Sequence, residues 1–312
     1  MDILFAMNGA NTRDWLDGLH SALPEARIRT WERGDNAAAD YVLYWKADAA
    51  ALSRRDGLKA IFNMGAGVDA LLRIVHENPD AVATDIPIVR LEDAGMAQQM
   101  VEYAVYCALR FARRFDEYES LSRQRIWKPL DAYSIDDFPI GVLGAGKLGL
   151  PVAQALANLG FPVRVYSRSA KAVEGMIAYA GQERLEAFAS GARMLVNLLP
   201  NTPETEGILN RRLFDAMADD GYVVNLARGS HIDDADLIAA LDSGKLARAV
   251  LDVFRNEPLA EAHPFWLHDR IDVTPHISAR TLIPESVAQV ADKIRRSEQG
   301  EKLFGLDLQR GY

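Results

Sequence analysis

The chain reads as an α/β protein made of two doubly wound parallel-sheet domains, and three observations predict this. Its 312 residues are about twice the length of an ordinary single domain. Short β-like runs alternate with stretches of helical spacing, as in a parallel sheet covered on both faces. The alternation pauses at the aromatic, proline-containing stretch "RIWKPLDAYSIDDFP" (125–139) and then restarts more strongly.

In the first half the strand-like runs are "DILFAM" (2–7), "ARIRTW" (26–31), "DYVLYW" (40–45) and "LKAIFN" (58–63). Between the first two lies "TRDWLDGLHSAL" (12–23), where Thr12 is placed to cap a helix. One long amphipathic helix is expected over 96–121, "MAQQMVEYAVYCALRFARRFDEYESL". After Pro139 come "IGVLG" (140–144), "PVRVYS" (162–167), "RMLVNLL" (193–199), "GYVVNLA" (221–227), "ARAVLDVF" (247–254) and "IDVTP" (271–275), a six-stranded pattern. Its helical stretches include "KLGLPVAQALANLG", "ERLEAFAS" and "DADLIAALDSG". A last helix and tail, "PESVAQVADKIRRSEQGEKLFGLDLQRGY", follow the final strand.

With 49% hydrophobic and 25% charged residues, the composition supports a full core. A net charge of −9 argues against nucleic acid or an anionic membrane as partner, since a phosphate footprint needs a basic face. A small anionic substrate needs only one or two local cations and stays open. The single cysteine, Cys107, lies in helical spacing, so no intrachain disulfide can form and its expected role is a small buried apolar side chain. The N-terminus has no basic n-region with a long apolar run, and no apolar run reaches the ~18 residues of a membrane helix. A cytoplasmic address is expected.

"VLGAGKLG" (142–149) is a G-x-G-x-x-G that follows a strand and opens a helix, the context that gives this otherwise weak pattern meaning. Gly144 suits the tight turn, Gly146 lets the backbone approach a pyrophosphate, and Gly149 permits close helix–strand contact. With Ala145, Lys147 and Leu148 they present N–H groups at a helix start to the phosphates. The next strand ends in "RVYSRSAK", without the carboxylate that would hold an adenosine 2′-hydroxyl. Ser167, Arg168 and Ser169 instead offer hydroxyls and a forked cation to a 2′-phosphate, which predicts NADPH over a weaker NADH. Arg168 as a solvated turn residue is the competing reading.

A hydride donor needs an electrophilic carbon opposite it and a proton for the oxygen. Arg228 ends one strand in "NLARGS", Glu257 follows the next in "DVFRNEPL", and His276 ends the last in "TPHIS". In a parallel doubly wound sheet these carboxyl ends share one edge, where ligands bind. A free imidazole, with a pKa of ~6.5, is a marginal acid at neutral pH. A carboxylate beside it favours the protonated ring and fixes its orientation. Arg228 suits a carboxylate, and His276 would protonate a keto oxygen. Separately, each of the three has a bland reading as turn, loop charge or core ring. His20, His76, His231, His263 and His268 show no metal-ligand spacing, so no metal is expected.

In that order, G-x-G-x-x-G, "NLLPNTPETEGILN", "NLARGS", "LDVFRNEPL" and "TPHIS" resemble the D-isomer-specific 2-hydroxyacid dehydrogenases. The likeness extends to "GDNAAADYVLYW", "MGAGVDALL", "RLEDAGMAQQMVEYAV" and the terminal "RGY", nearly the full length. It implies that Arg228, Glu257 and His276 are the catalytic trio, and that Leu199, Pro200 and Thr205 lie near the nicotinamide and its ribose, with Asp252 at the carboxamide. It implies a flavodoxin-like substrate domain (1–98 plus 281–312) and a Rossmann dinucleotide-binding domain (99–280), with the active site in the cleft between them. The last helix would then return to complete the first domain, and the helix near 97–121 would join a homodimer interface.

"NMGAGVD" (63–69) follows a strand, and its backbone amides form a natural nest for a small carboxylate. The resemblance gives Ala66, Gly67 and Val68 that task, opposite Arg228. Glycines there also suit a turn that needs φ > 0. Trp45 ends a neighbouring strand and either walls a small pocket or fills the core. A small pocket suits glyoxylate and hydroxypyruvate, reduced to glycolate and D-glycerate. The alternatives are a D-2-hydroxyacid dehydrogenase for larger 2-keto acids and a non-enzymatic NAD(P)H-sensing regulator on the same scaffold. Short-chain dehydrogenases are excluded, because none of the ten tyrosines has lysine four residues on.

Overall fold

Apolar runs rich in Val, Ile and Leu become strands in the computed structural model, which describes residues 1–9, 11–79, 82–83 and 85–308. The terminal "RGY" lies outside the described residues. The chain divides into two compact units, Met1–Gly95 with Thr281–Tyr312, and Met96–Arg280.

The first unit holds β1 (Asp2–Met7), β2 (Arg27–Thr30), β3 (Tyr41–Trp45), β4 (Ala60–Asn63) and β5 (Ile88–Arg90), in the order β2-β1-β3-β4-β5. All of its pairings are parallel. β5 was not expected: three residues after Pro87 are too few to show a period. β4 is buried along its whole length and β3 at four of its five positions, as befits a sheet covered on both faces. α1 (Thr12–Ala22) turns Trp15 and Leu19 inward. Thr12 opens this helix and does not cap it; the cap position belongs to Asn11, at φ 66°. α2 (Asp69–Glu77) follows β4.

The second unit begins with α3 (Met96–Ala112) and α4 (Phe115–Arg123). The single helix expected over 96–121 is thus two. Arg114 takes φ 56°, a left-handed conformation that no helix continues through. Its strands are β6 (Ile140–Leu143), β7 (Val163–Ser167), β8 (Ile177–Ala180), β9 (Met194–Asn197), β10 (Gly221–Asn225), β11 (Leu246–Leu251) and β12 (Ile271–Val273). They lie in the order β12-β11-β10-β9-β6-β7-β8, all parallel. β8 is a seventh strand at the edge, half exposed, where six were expected. α5 (Gly149–Asn158), α6 (Leu185–Ala189), α7 (Arg211–Ala216) and α8 (Asp234–Asp242) complete this unit.

The two faces of the seven-stranded sheet carry separate cores. On one, Phe111 of α3 stacks on Tyr222 of β10 with ring centroids 4.2 Å apart. Such a pair adds about 1 kcal/mol beyond area burial. Cys107 is fully buried in the same cluster, and burial pushes its thiol up to about 12, the behaviour of an inert packing residue.

The helix pair is tied to the last two strands by ions. Arg110 reaches Asp272 at 2.5 Å and Glu119 at 2.7 Å, while Arg248 reaches Asp272 at 3.0 Å and Asp116 at 3.7 Å. Burial raises the Asp116 carboxyl above its usual range, against the pull of Arg248 and Arg110.

The chain then returns to the first unit as α9 (Ile283–Glu298), which buries Val287, Val290, Ala291 and Ile294. A Cβ at Gly18 of α1 would stand 3.2 Å from Val287 Cγ2, so the small residue allows close approach. Glu298 Oε1 accepts from Tyr41 Oη and Lys59 Nζ, each at 2.7 Å. Leu306 N–H then bonds the Ile88 carbonyl at 2.7 Å, adding a contact to β5. Among the described residues, no helix is long and apolar enough to cross a membrane.

Candidate active site

The turn between β6 and α5 admits only glycine at two of its three glycine positions. Gly144 takes φ 110°, and a Cβ there would meet the Leu198 carbonyl oxygen at 2.7 Å. A Cβ on Gly149 would fall 1.7 Å from the Gly144 oxygen. Gly146 is exposed and has nothing within 4 Å of its virtual Cβ. Tight packing behind and open space in front is what a loop receiving a diphosphate requires, so the residues present fit a dinucleotide.

At the end of β7, Ser167 is buried and its hydroxyl donates to the Ser169 carbonyl at 2.8 Å, while Arg168 is exposed. Sequence reasoning missed Lys171, whose ammonium crosses to the Ala145 carbonyl at 2.6 Å. It brings a further cation to the glycine turn, and a lone lysine in a loop carried no signal of it. The 199–205 loop is closed by Thr205: its hydroxyl donates to the Pro200 carbonyl at 2.8 Å and accepts from Thr202 N–H at 2.9 Å. Leu199 is buried behind it.

Arg228, Glu257 and His276 follow β10, β11 and β12, three adjacent strands. His276 Nδ1 lies 2.7 Å from Glu257 Oε2. The other carboxylate oxygen, Oε1, accepts Phe254 N–H at 3.0 Å, which fixes the orientation of Glu257. Both side chains remain partly open, His276 at 44% and Glu257 at 36%. Arg228 Nη1 donates to the Ala227 carbonyl at 2.6 Å. The turn beneath it needs glycine, since a Cβ on Gly229 would lie 1.9 Å from the carbonyl carbon of Phe254.

Two buried asparagines set these turns, and neither was singled out in the sequence. Asn225, at the end of β10, donates to the Arg228 carbonyl at 2.8 Å and accepts from Ala227 N–H at 3.2 Å. Asn197, at the end of β9, donates to Asn225 Oδ1 at 2.9 Å and to His231 Nδ1 at 2.8 Å. An Asn directly after an apolar strand was the available signal, because a buried amide there must spend its bonds on neighbouring loops.

Asp252 is fully enclosed. Its Oδ1 accepts Thr274 Oγ1 at 2.6 Å and Ile277 N–H at 2.8 Å, and its Oδ2 accepts Ser278 N–H at 2.8 Å.

In the first unit, Asn63 is buried at the end of β4 and donates to the carbonyls of Gly65 at 2.8 Å and Gly67 at 3.0 Å. That curls the 65–68 segment before α2. Neither Gly65 nor Gly67 takes a positive φ, so the turn does not need glycine for that reason. Gly65 is needed because of Trp45: a Cβ would stand 2.2 Å from its ring. The indole therefore lies on this loop and is partly exposed; Ala66 and Gly67 are also partly exposed, while Val68 is buried.

A βα turn that fits only glycine, within a seven-stranded parallel sheet, places the chain among the dinucleotide-binding α/β proteins. Residues 105–278 match the family "D-isomer specific 2-hydroxyacid dehydrogenase, NAD binding domain". The chain is 49% identical to glyoxylate/hydroxypyruvate reductase A of Serratia proteamaculans and 47% identical to that of Yersinia enterocolitica, with 100% of each chain covered. Among solved structures it resembles a D-isomer-specific 2-hydroxyacid dehydrogenase of Xanthobacter autotrophicus in complex with NADPH (TM-score 0.90, 36% identity, 100% and 99% of the chains). It also resembles an NADPH-dependent glyoxylate/hydroxypyruvate reductase of Sinorhizobium meliloti in complex with NADP and sulfate (TM-score 0.89, 31% identity, 100% and 99%). The chain belongs to the D-isomer-specific 2-hydroxyacid dehydrogenases.

Proposed function

We propose that this chain is an NADPH-dependent reductase of small 2-keto acids, converting glyoxylate to glycolate and hydroxypyruvate to D-glycerate. The observation that carries the reading is the 2.7 Å contact between His276 Nδ1 and Glu257 Oε2, on the same carboxyl edge of the sheet as the glycine turn. The names and bound nucleotides of the relatives support both substrate class and cofactor.

In this reading Gly144 to Gly149 hold the diphosphate, and Ser167, Arg168 and Ser169 take the 2′-phosphate. Leu199, Pro200 and Thr205 border the nicotinamide ribose. When bound, the reduced nicotinamide supplies a hydride to the carbonyl carbon. Arg228 pins the substrate carboxylate and polarises the keto group with its planar fork. The amides of Ala66, Gly67 and Val68 offer a nest for a small carboxylate, and Trp45 beside them limits its size.

Because Glu257 can only accept, Nδ1 keeps its proton and Nε2 is left to transfer one to the keto oxygen. The partly open ring then recovers its proton from solvent.

The exposed side chains of Tyr106, Leu109, Phe115, Ile126 and Trp127 form an apolar run along and beyond α3 and α4. Exposed apolar side chains in this number suit a protein contact and support a homodimer built on this helix pair. A single buried cysteine supports a cytoplasmic address. The test is NADPH oxidation followed at its near-ultraviolet absorbance over a panel of 2-keto acids, repeated with NADH. The expected result is the highest kcat/KM for glyoxylate and hydroxypyruvate with NADPH. No turnover of any 2-keto acid would overturn the reading in favour of a nucleotide-sensing protein.

A further inference from the structure

His276 stands at φ 54°, a left-handed conformation uncommon outside glycine. Asp252 supplies most of what holds it there. Asp252 receives the N–H groups of the two residues that follow His276, on opposite oxygens, and its own carbonyl accepts His276 N–H at 2.8 Å.

A hydroxyl chain then reaches Asp252 from outside the loop. Tyr103 Oη of α3 lies 2.7 Å from Thr274 Oγ1, which lies 2.6 Å from Asp252 Oδ1. The direction of this chain is forced. Asp252 can only accept, so Thr274 spends its one hydroxyl proton on it, and the Tyr103 hydroxyl must donate to Thr274. Tyr103 is largely buried, and that burial raises its pKa, so it remains a donor.

We propose that Tyr103 and Thr274 are positioning residues for the reduction, acting through Asp252 to hold the His276 loop so that the ring meets Glu257 and the keto oxygen together. Tyr103 sits on a helix 171 positions from Thr274, so the loop is referenced to the body of the unit and not only to its own turn. This rests on His276 as proton donor, and the test keeps the two apart.

Tyr103→Phe and Thr274→Val remove one hydroxyl each and keep the shape. Each should lower kcat roughly tenfold, about the worth of one hydrogen bond. The KM for glyoxylate and for NADPH should hardly move. The double variant should be no worse than the poorer single, because both cut one chain. Thr274→Ser restores the hydroxyl and should recover most of the turnover. In proton NMR, the downfield Nδ1–H resonance of His276 should broaden in Tyr103→Phe and Thr274→Val but not in Thr274→Ser.

Wild-type kcat in Tyr103→Phe and Thr274→Val would overturn the proposal. So would strictly additive losses, a change confined to the KM for NADPH, or a kcat loss that tracks a fall in Tm and vanishes on cooling. His276→Ala serves as the reference. If it retains turnover, the donor assignment has failed; if it is inactive while Tyr103→Phe is normal, only the positioning proposal has.

Discussion

A left-handed histidine costs about 1–2 kcal/mol relative to an ordinary backbone, and the protein offsets this with bonds to Asp252. Such an outlay at a strand end is reasonable when the ring has chemical work there. His276→Ala should therefore fold normally and lose about 10²–10⁴-fold in kcat, read by NADPH oxidation at saturating glyoxylate. A second prediction belongs to cofactor choice. Ser167 is enclosed at the end of β7, in the stretch proposed above to take the 2′-phosphate. Ser167→Asp adds an anion that repels such a phosphate and can accept from a ribose hydroxyl. The ratio of kcat/KM for NADPH over NADH should fall, and an unchanged ratio would contradict the assignment.

At the scale of elements, the β6–α5 turn has almost no freedom. Gly149→Ala places a carbon inside van der Waals contact with the Gly144 oxygen, so the helix start must move away from the strand. The expected outcome is loss of the thermal shift that NADPH gives the parent protein, measured by calorimetry. The ion lattice under α3 and α4 makes a different prediction. Folding raises the Asp116 pKa above its unfolded value of ~3.9, so the native state binds the proton more tightly there. Stability from this group is gained as pH falls through the raised folded pKa and is absent at neutral pH. Asp116→Asn, with Arg248 still paired to Asp272, should therefore raise Tm at pH 7, and its advantage should shrink on acidification.

These elements also show what a reader of the bare sequence can recover. The long central strands, the glycine turn and the Glu257–His276 partnership were legible, because buried parallel strands are continuous apolar runs and strand ends share an edge. β5 and β8 were not: three residues after a proline show no period, and β8 is exposed or half exposed along its whole length. Nor was the break at Arg114, where amphipathic spacing continues across two helices that the backbone separates. Asn197, Lys171 and the Tyr103–Thr274 link escaped because their partners lie 26 to 171 positions away, and Asn63 and Asn225 because a bond closing a turn of two to four residues leaves no period behind.

For the whole molecule, the apolar helix face is the feature that calls for a partner. On the homodimer proposed above, Leu109→Glu on the exposed side of α3 should lower the sedimentation coefficient to that of a monomer while leaving the secondary structure intact. An unchanged sedimentation coefficient would place the interface elsewhere.

The return of α9 also gives the two units different birthdays on the ribosome. The nucleotide-binding unit has all its residues once Arg280 has emerged, but the unit that starts the chain still lacks the helix against which α1 packs. Of the two units, the one translated earlier is thus completed later. Nascent chains stalled when Arg280 has just cleared the ribosome should already resist proteolysis across the second unit, while residues 1–95 are still digested.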